Sequence, residues 1–154
     1  MNNSSNMELN KPFIINGDLS VDDRGELAFV NQFNMELVKR FYVVSNHKQG
    51  FIRAWHAHKI ESKYVFIVNG TALISTVEID DWENPSSDLI VDKFVLTAKK
   101  PSILYIPSGY ANGFKTLSTE TKIIFFSTST LKDSINDDYR YDAYKCNPWE
   151  ITER

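Results

Sequence analysis

The chain carries a single cysteine, Cys146, among its 154 residues, so no intrachain disulfide framework can hold the fold, and a reducing compartment suits it. A surplus of positive charge is also missing. Seventeen Lys and Arg stand against twenty Asp and Glu, a net of -3, which offers no basic field to gather nucleic acid or an acidic membrane surface. Long apolar runs are absent too: the longest, residues 64–68, is far too short to cross a bilayer. The first ten residues are polar and asparagine-rich, without the basic start and apolar segment of a signal peptide. The expectation is a cytoplasmic protein with an N-terminal tail at residues 1–11 and one domain over residues 12–154, long enough to bury a core and too short for two ordinary ones. No stretch sustains a helical period beyond about two turns.

What is present is a series of short β-branched and aromatic runs separated by turn residues, with aromatics at 13% of the chain, which is the pattern of an all-β protein. Strands are predicted at residues 26–31, 39–45, 51–55, 63–68, 72–79, 89–96, 102–106, 113–117 and 122–127, with a further strand around residues 13–15. Such spacing predicts an antiparallel sandwich or barrel, since a parallel sheet would need helical crossovers. Asn69-Gly70 between two apolar runs reads as a tight hairpin, residues 80–88 as an exposed loop, and residues 132–154 as irregular structure packed over the body.

The densest chemistry lies in Gly50-Phe51-Ile52-Arg53-Ala54-Trp55-His56-Ala57-His58 and on to Lys63 and Gly70. On a strand, His56 and His58 share a face, and two imidazoles on one face are half a metal site. The spacing resembles the first motif of the cupin superfamily, whose fold is an antiparallel jelly-roll barrel, but Lys63 stands where that motif has a glutamate. Pro107-Ser108-Gly109-Tyr110-Ala111-Asn112 resembles the second motif, with Asn112 in place of its histidine. An ammonium cannot ligate a divalent cation and an amide is a poor substitute for imidazole. The expectation is therefore a cupin with no metal and no other cofactor, whose pocket is free for acid–base work.

Asp23-Arg24-Gly25, the run from Gly50 to His56, Lys63, and the run from Ile106 to Phe114 together resemble the dTDP-4-dehydrorhamnose 3,5-epimerase family. Lys39-Arg40-Phe41-Tyr42 and His56-Ala57-His58-Lys59 are similar to the related dTDP-4-keto-6-deoxyhexose 3,4-ketoisomerases. The resemblance implies a homodimer acting on a nucleotide-linked 4-keto sugar, with His56 removing a proton beside the carbonyl and Arg24 and Arg53 holding the diphosphate. An imidazole titrates near neutrality and suits that task. Lys63 is the candidate to stabilise the enolate, His58 matches the ketoisomerase pattern, and Asp142 is the nearest match to the aspartate that orients the base. Tyr42, Tyr110 and Asn112 complete the candidate substrate-binding set. Arg53 lies three residues before His56, so a bulge is required if both are to face one site. Phe125 stands where the epimerases carry an acid tyrosine, which leaves epimerisation and a keto shift both open. The alternatives are a non-catalytic nucleotide-sugar-binding cupin and, disfavoured by Lys63 and Asn112, a metal-dependent oxygenase.

Overall fold

A computed structural model describes residues 10–154; of the expected tail, residues 1–9 lie outside the described residues. In chain order the strands are β1 (Phe13–Asn16), β2 (Asp18–Asp22), β3 (Gly25–Phe29), β4 (Arg40–Ser45), β5 (Ile52–Ala57), β6 (Lys63–Asn69), β7 (Thr71–Glu78), β8 (Val91–Thr97), β9 (Ser102–Ile106), β10 (Tyr110–Thr116), β11 (Lys122–Ser127) and β12 (Tyr139–Arg140), with one short helix, α1 (Leu131–Ile135), before the last. Two five-stranded sheets, ordered β1-β9-β6-β11-β4 and β12-β5-β10-β7-β8, pack face to face, and β2 and β3 form a separate hairpin. Every ladder is antiparallel.

The alternation of side chains along each strand explains the layers. In β6, Lys63, Val65 and Ile67 are buried while Tyr64 and Phe66 are only partly so; in β11, Ile123, Phe125 and Ser127 point the same way as these. These inward sets meet Ala72 and Ile74 of β7 and Tyr110 and Phe114 of β10 in the core between the sheets. Burying each large aliphatic or aromatic side chain of this kind contributes roughly 1.5–3 kcal/mol. The other face of the second sheet is apolar as well. Trp55, Ala57, Leu73, Val77 and Ala111 form a second cluster, closed by Trp149 from the C-terminal segment. The expectation that this segment packs over the body therefore holds, although α1 and β12 give it more regular structure than its polar sequence suggested.

Asn69-Gly70 is not a hairpin. β6 pairs with β9 and β11, whereas β7 pairs with β8 and β10, so the two residues form a corner at which the chain crosses from one sheet to the other. The chemistry that makes the dipeptide a good hairpin turn, tolerance of positive φ, serves this corner equally: Gly70 has φ +81. A Cβ at Gly70 would lie 2.5 Å from Thr121 Oγ1 and 2.9 Å from Thr121 Cα. The corner is thus packed against the turn before β11. A second difference is β10, which begins at Tyr110 rather than at residue 113: the strand starts directly after the Pro107-Ser108-Gly109 turn, three residues earlier than expected. Among the described residues, no helix is long and apolar enough to cross a membrane.

Candidate active site

Inward residues from both sheets converge where the free edge of β4 faces β5. Tyr42 and Val44 of β4, Lys63 of β6 and Phe125 of β11 approach from one sheet, and Arg53 and His56 of β5 with Asn112 and Phe114 of β10 from the other. They enclose a cavity of about 140 Å³. Tyr42, His56 and Lys63 also line a wider groove of about 350 Å³, which they share with Arg40, His58, Asp138 and Arg140. The three residues thus form a wall between an inner chamber and an outer groove.

A bulge brings Arg53 to the same chamber as His56. His56 pairs with Asn112 and Arg53 with Phe114, so β5 advances three residues while β10 advances two, and the extra residue restores a common face. Gly113 sits against this bulge, and a Cβ there would lie 2.4 Å from Ala54 Cβ and 3.0 Å from the Arg53 carbonyl oxygen. Gly113→Ala is therefore expected to lower stability by ~1–3 kcal/mol, the usual cost of overpacking, measured as a reduced denaturant midpoint. Arg53 is exposed, and its Nε donates to Asn46 Oδ1 at 2.8 Å.

Lys63 is only 7% exposed, yet its ammonium is well served. Nζ donates to the Tyr42 hydroxyl at 3.0 Å and lies 5.6 and 5.7 Å from the ring centres of Tyr42 and Phe125, which are themselves stacked at 5.3 Å. Cation–π attraction offsets part of the desolvation cost. Because the ammonium occupies a lone pair of the Tyr42 oxygen, that hydroxyl keeps its own hydrogen to donate. Asn112 Nδ2 donates to the His56 carbonyl at 3.2 Å. These two contacts commit the groups that stand at the cupin ligand positions to hydrogen bonding, and no cluster of three or more His, Cys, Asp or Glu among the described residues is arranged to hold a metal ion.

His56 has its pKa lowered to about 4, first by burial and then by the positive charges of Lys63 and Arg140. The imidazole is therefore neutral, and able to accept a proton, well below pH 6.5. The same shift ties it to stability. Between about 4 and 6.5 the unfolded chain binds more protons than the folded one, so the contribution of His56 is complete above 6.5 and is lost as pH falls toward 4. Denaturant midpoints over that window should fall with pH more steeply for the native chain than for His56→Gln. His58, in the outer groove, is also held below the usual histidine range by burial and by Lys63.

Three of the residues singled out in the sequence lie elsewhere. Arg24 is exposed in the turn between β2 and β3 and pairs with Asp22 at 2.5 Å. Asp142 is exposed, and its carboxylate accepts from the Tyr144 backbone N–H at 2.9 Å, which occupies it in a local turn away from His56. Tyr110 lies in the core and borders a different cavity with Glu78, Asp80 and Asp92; burial, and then the charges of Glu78 and Asp92, raise the pKa of its phenol. Two acidic residues that sequence reading passed over are close by. Asp138 faces the groove and pairs with Arg140 at 3.0 Å, and Glu61 is buried behind His58.

A double-sheet cupin whose interior site is built from imidazole, ammonium, phenol and amide groups defines a pocket suited to acid–base chemistry. The model of the dTDP-4-dehydrorhamnose 3,5-epimerase family matches residues 6–148, and the chain belongs to that family. It is 26% identical over 132 residues to the spore coat polysaccharide biosynthesis protein SpsL of Bacillus subtilis, covering 84% of this chain and 82% of SpsL. Among solved structures it is similar to the dTDP-4-dehydrorhamnose 3,5-epimerase of Bacillus anthracis with TDP and pyrophosphate bound, at 20% identity and TM-score 0.72 over 92% of this chain and 86% of that one. It is also similar to a 3,4-ketoisomerase from Helicobacter canadensis, at 20% identity and TM-score 0.64 over 84% and 90% of the two chains. Both kinds of dTDP-sugar isomerase thus share this fold.

Proposed function

We propose that the protein is an isomerase acting on a dTDP-linked 4-keto-6-deoxy sugar, removing a proton from the carbon beside the keto group, in the supply of deoxysugars for surface polysaccharide. The observation that carries this reading is the convergence of a neutral imidazole, a buried ammonium and a phenol with a free hydrogen on one interior cavity. In it, His56 is the base. The enolate that forms when the C–H electron pair moves toward the carbonyl is met by Lys63, which is buried, and Tyr42, fixed donors whose stabilisation is stronger away from bulk water. Tyr42 also supplies the phenolic proton that Phe125 cannot. Arg53, at the chamber wall, and Asn112 are the sugar and diphosphate contacts.

The reading includes a homodimer in the cytoplasm. Apolar side chains of the β2–β3 hairpin and of edge strand β4 are unusually exposed, with Val21 at 70% and Phe41 at 65%, and a second copy would cover them. Arg24 projects from that same hairpin, where exchange of its Asp22 partner for a diphosphate would let it serve a neighbouring site. The test is incubation with TDP-4-keto-6-deoxyglucose in deuterated water, followed by NMR of the ring carbons. Deuterium at a carbon next to the keto group supports the isomerase. Tight dTDP binding without exchange would instead make the protein a binding module.

A further inference from the structure

Where β7 ends and β8 and β10 begin, a cleft of about 570 Å³ opens that shares no lining residue with the chamber or the groove around His56. Strand alternation fixes its chemistry. Glu78 is the cross-strand partner of Tyr110, and Asp92 is that of Thr76, two residues before Glu78. The three therefore share the inward face of the second sheet at the point where the apolar core gives way to solvent. Asp80 follows in the loop after β7, and its carboxylate is committed there to the Ser86 backbone N–H and hydroxyl. Glu78 and Asp92 take part in none of the ion pairs among the described residues. Lys11 also lines the cleft, and three carboxylates against its one ammonium leave negative charge in excess.

Tyr110 is the second, independent feature. It is 7% exposed, with its ring in the core between the sheets, and it lines the cleft. The hydroxyls of Tyr42, Tyr105 and Tyr141 each have a hydrogen-bond partner, whereas that of Tyr110 has none among the described residues. Burial and the charges of Glu78 and Asp92 hold its pKa above the usual phenol range, so at neutral pH the oxygen keeps its hydrogen and two lone pairs. Filling the core alone would need only a phenyl ring, as Phe114 supplies on the same face. The hydroxyl beside two carboxylates is what calls for a use.

Two carboxylates and a phenol oxygen match the three donors of one primary ammonium group. Leu89 and Ile90, the latter 86% exposed, give the same cleft an apolar wall. An anion is repelled by the charge. A divalent metal fits poorly, because it draws its oxygen ligands into a tight shell, and no cluster of three or more His, Cys, Asp or Glu among the described residues is so arranged. The volume instead falls within the span of small organic ligand sites, roughly 300–1,000 Å³.

We propose that this cleft binds a small organic cation, a primary alkylammonium whose charge is held by Glu78 and Asp92, whose hydrogen is accepted by Tyr110, and whose carbon chain lies on Leu89 and Ile90. The site is separate from the isomerase chamber and stands whether or not that chamber is active.

Butylamine is the probe, titrated into the full chain at neutral pH and followed by NMR of the Tyr110 ring and the Leu89 and Ile90 methyl groups. Saturable shifts are expected there, and none with 1-butanol, which has the chain without the charge. Tyr110→Phe keeps every charge and separates a built site from general attraction: binding is expected to weaken about 10-fold, the lower end of what one hydrogen bond to a charged group contributes. Glu78→Gln with Asp92→Asn, both at exposed positions, should weaken it about 100-fold, two such contacts being lost. Asp23→Asn with Glu83→Gln removes the same charge at exposed positions outside the cleft and should leave the affinity unchanged. The absence of saturable shifts overturns the proposal, as does native affinity in folded Tyr110→Phe or an equal loss in the two double variants. Magnesium chloride that produces the same shifts at lower concentration overturns the ligand class. If Tyr110→Phe does not fold, the comparison of the two double variants decides.

Discussion

Replacement of His56 by alanine is expected to remove ring-carbon deuterium incorporation, with kcat falling about 10²- to 10⁴-fold, the span typical of a lost general base. The magnitude follows from the absence of an adequate substitute at that position. Lys63 is a donor already bound to Tyr42 at 3.0 Å, and Asn112, across the β5–β10 ladder, has no basic nitrogen. His58 belongs to the outer groove rather than to the inner chamber. Binding of dTDP should survive the change, because Arg53, the phosphate contact expected in this chamber, is held by Asn46 and not by the His56 ring. Isothermal titration with dTDP alongside the exchange assay separates the two effects. Exchange at the native rate in the folded variant would remove His56 from the mechanism.

The largest loss of stability is expected from Trp149→Ala, at about 3–5 kcal/mol for a fully buried indole replaced by alanine, which is a large share of the roughly 5–15 kcal/mol that holds a domain of this kind together. Trp149 is buried against Trp55 with ring centres 5.4 Å apart, and its indole N–H donates to the Ala143 carbonyl at 2.7 Å. Trp55 is the immediate neighbour of His56 on β5, so the two faces of one strand are coupled: the chemistry looks inward and its support looks outward. Guanidinium denaturation reads the loss, and a midpoint within experimental error of the native value would show that the C-terminal segment is only loosely applied.

Most strands were legible because their signal is local. Ser102–Ile106 and Lys122–Ser127 stand where their β-branched and aromatic runs place them. Long-range pairing was not legible in the same way, and Asn69-Gly70 illustrates why: the dipeptide encodes a sharp reversal of backbone direction, while the choice between pairing within a sheet and crossing to the other depends on partners 20 and more residues away. Within the candidate site, the need for a bulge between Arg53 and His56 could be read from an odd spacing on a strand. Glu61 could not, since a glutamate flanked by Ile60 and Ser62 and close to Lys59 and Lys63 reads as a solvated charge. Only the return of α1, which brings Ser134 against it, makes it an interior residue. Asp142 was chosen by its position in a pattern, whereas the acids that face the histidines, Asp138 and Glu61, are set by where β12 and the turn after β5 fall.

The strict alternation along β4, β6 and β11 divides the labour of each strand between two audiences. Positions 42, 63 and 125 line the interior chamber and position 40 the groove beside it, while their immediate neighbours Phe41, Tyr64 and Phe126 lie on the opposite face of the sheet. Drift at the outer set can retune assembly or surface stickiness without disturbing selectivity, and a shift of register by one residue would exchange the two roles at a stroke.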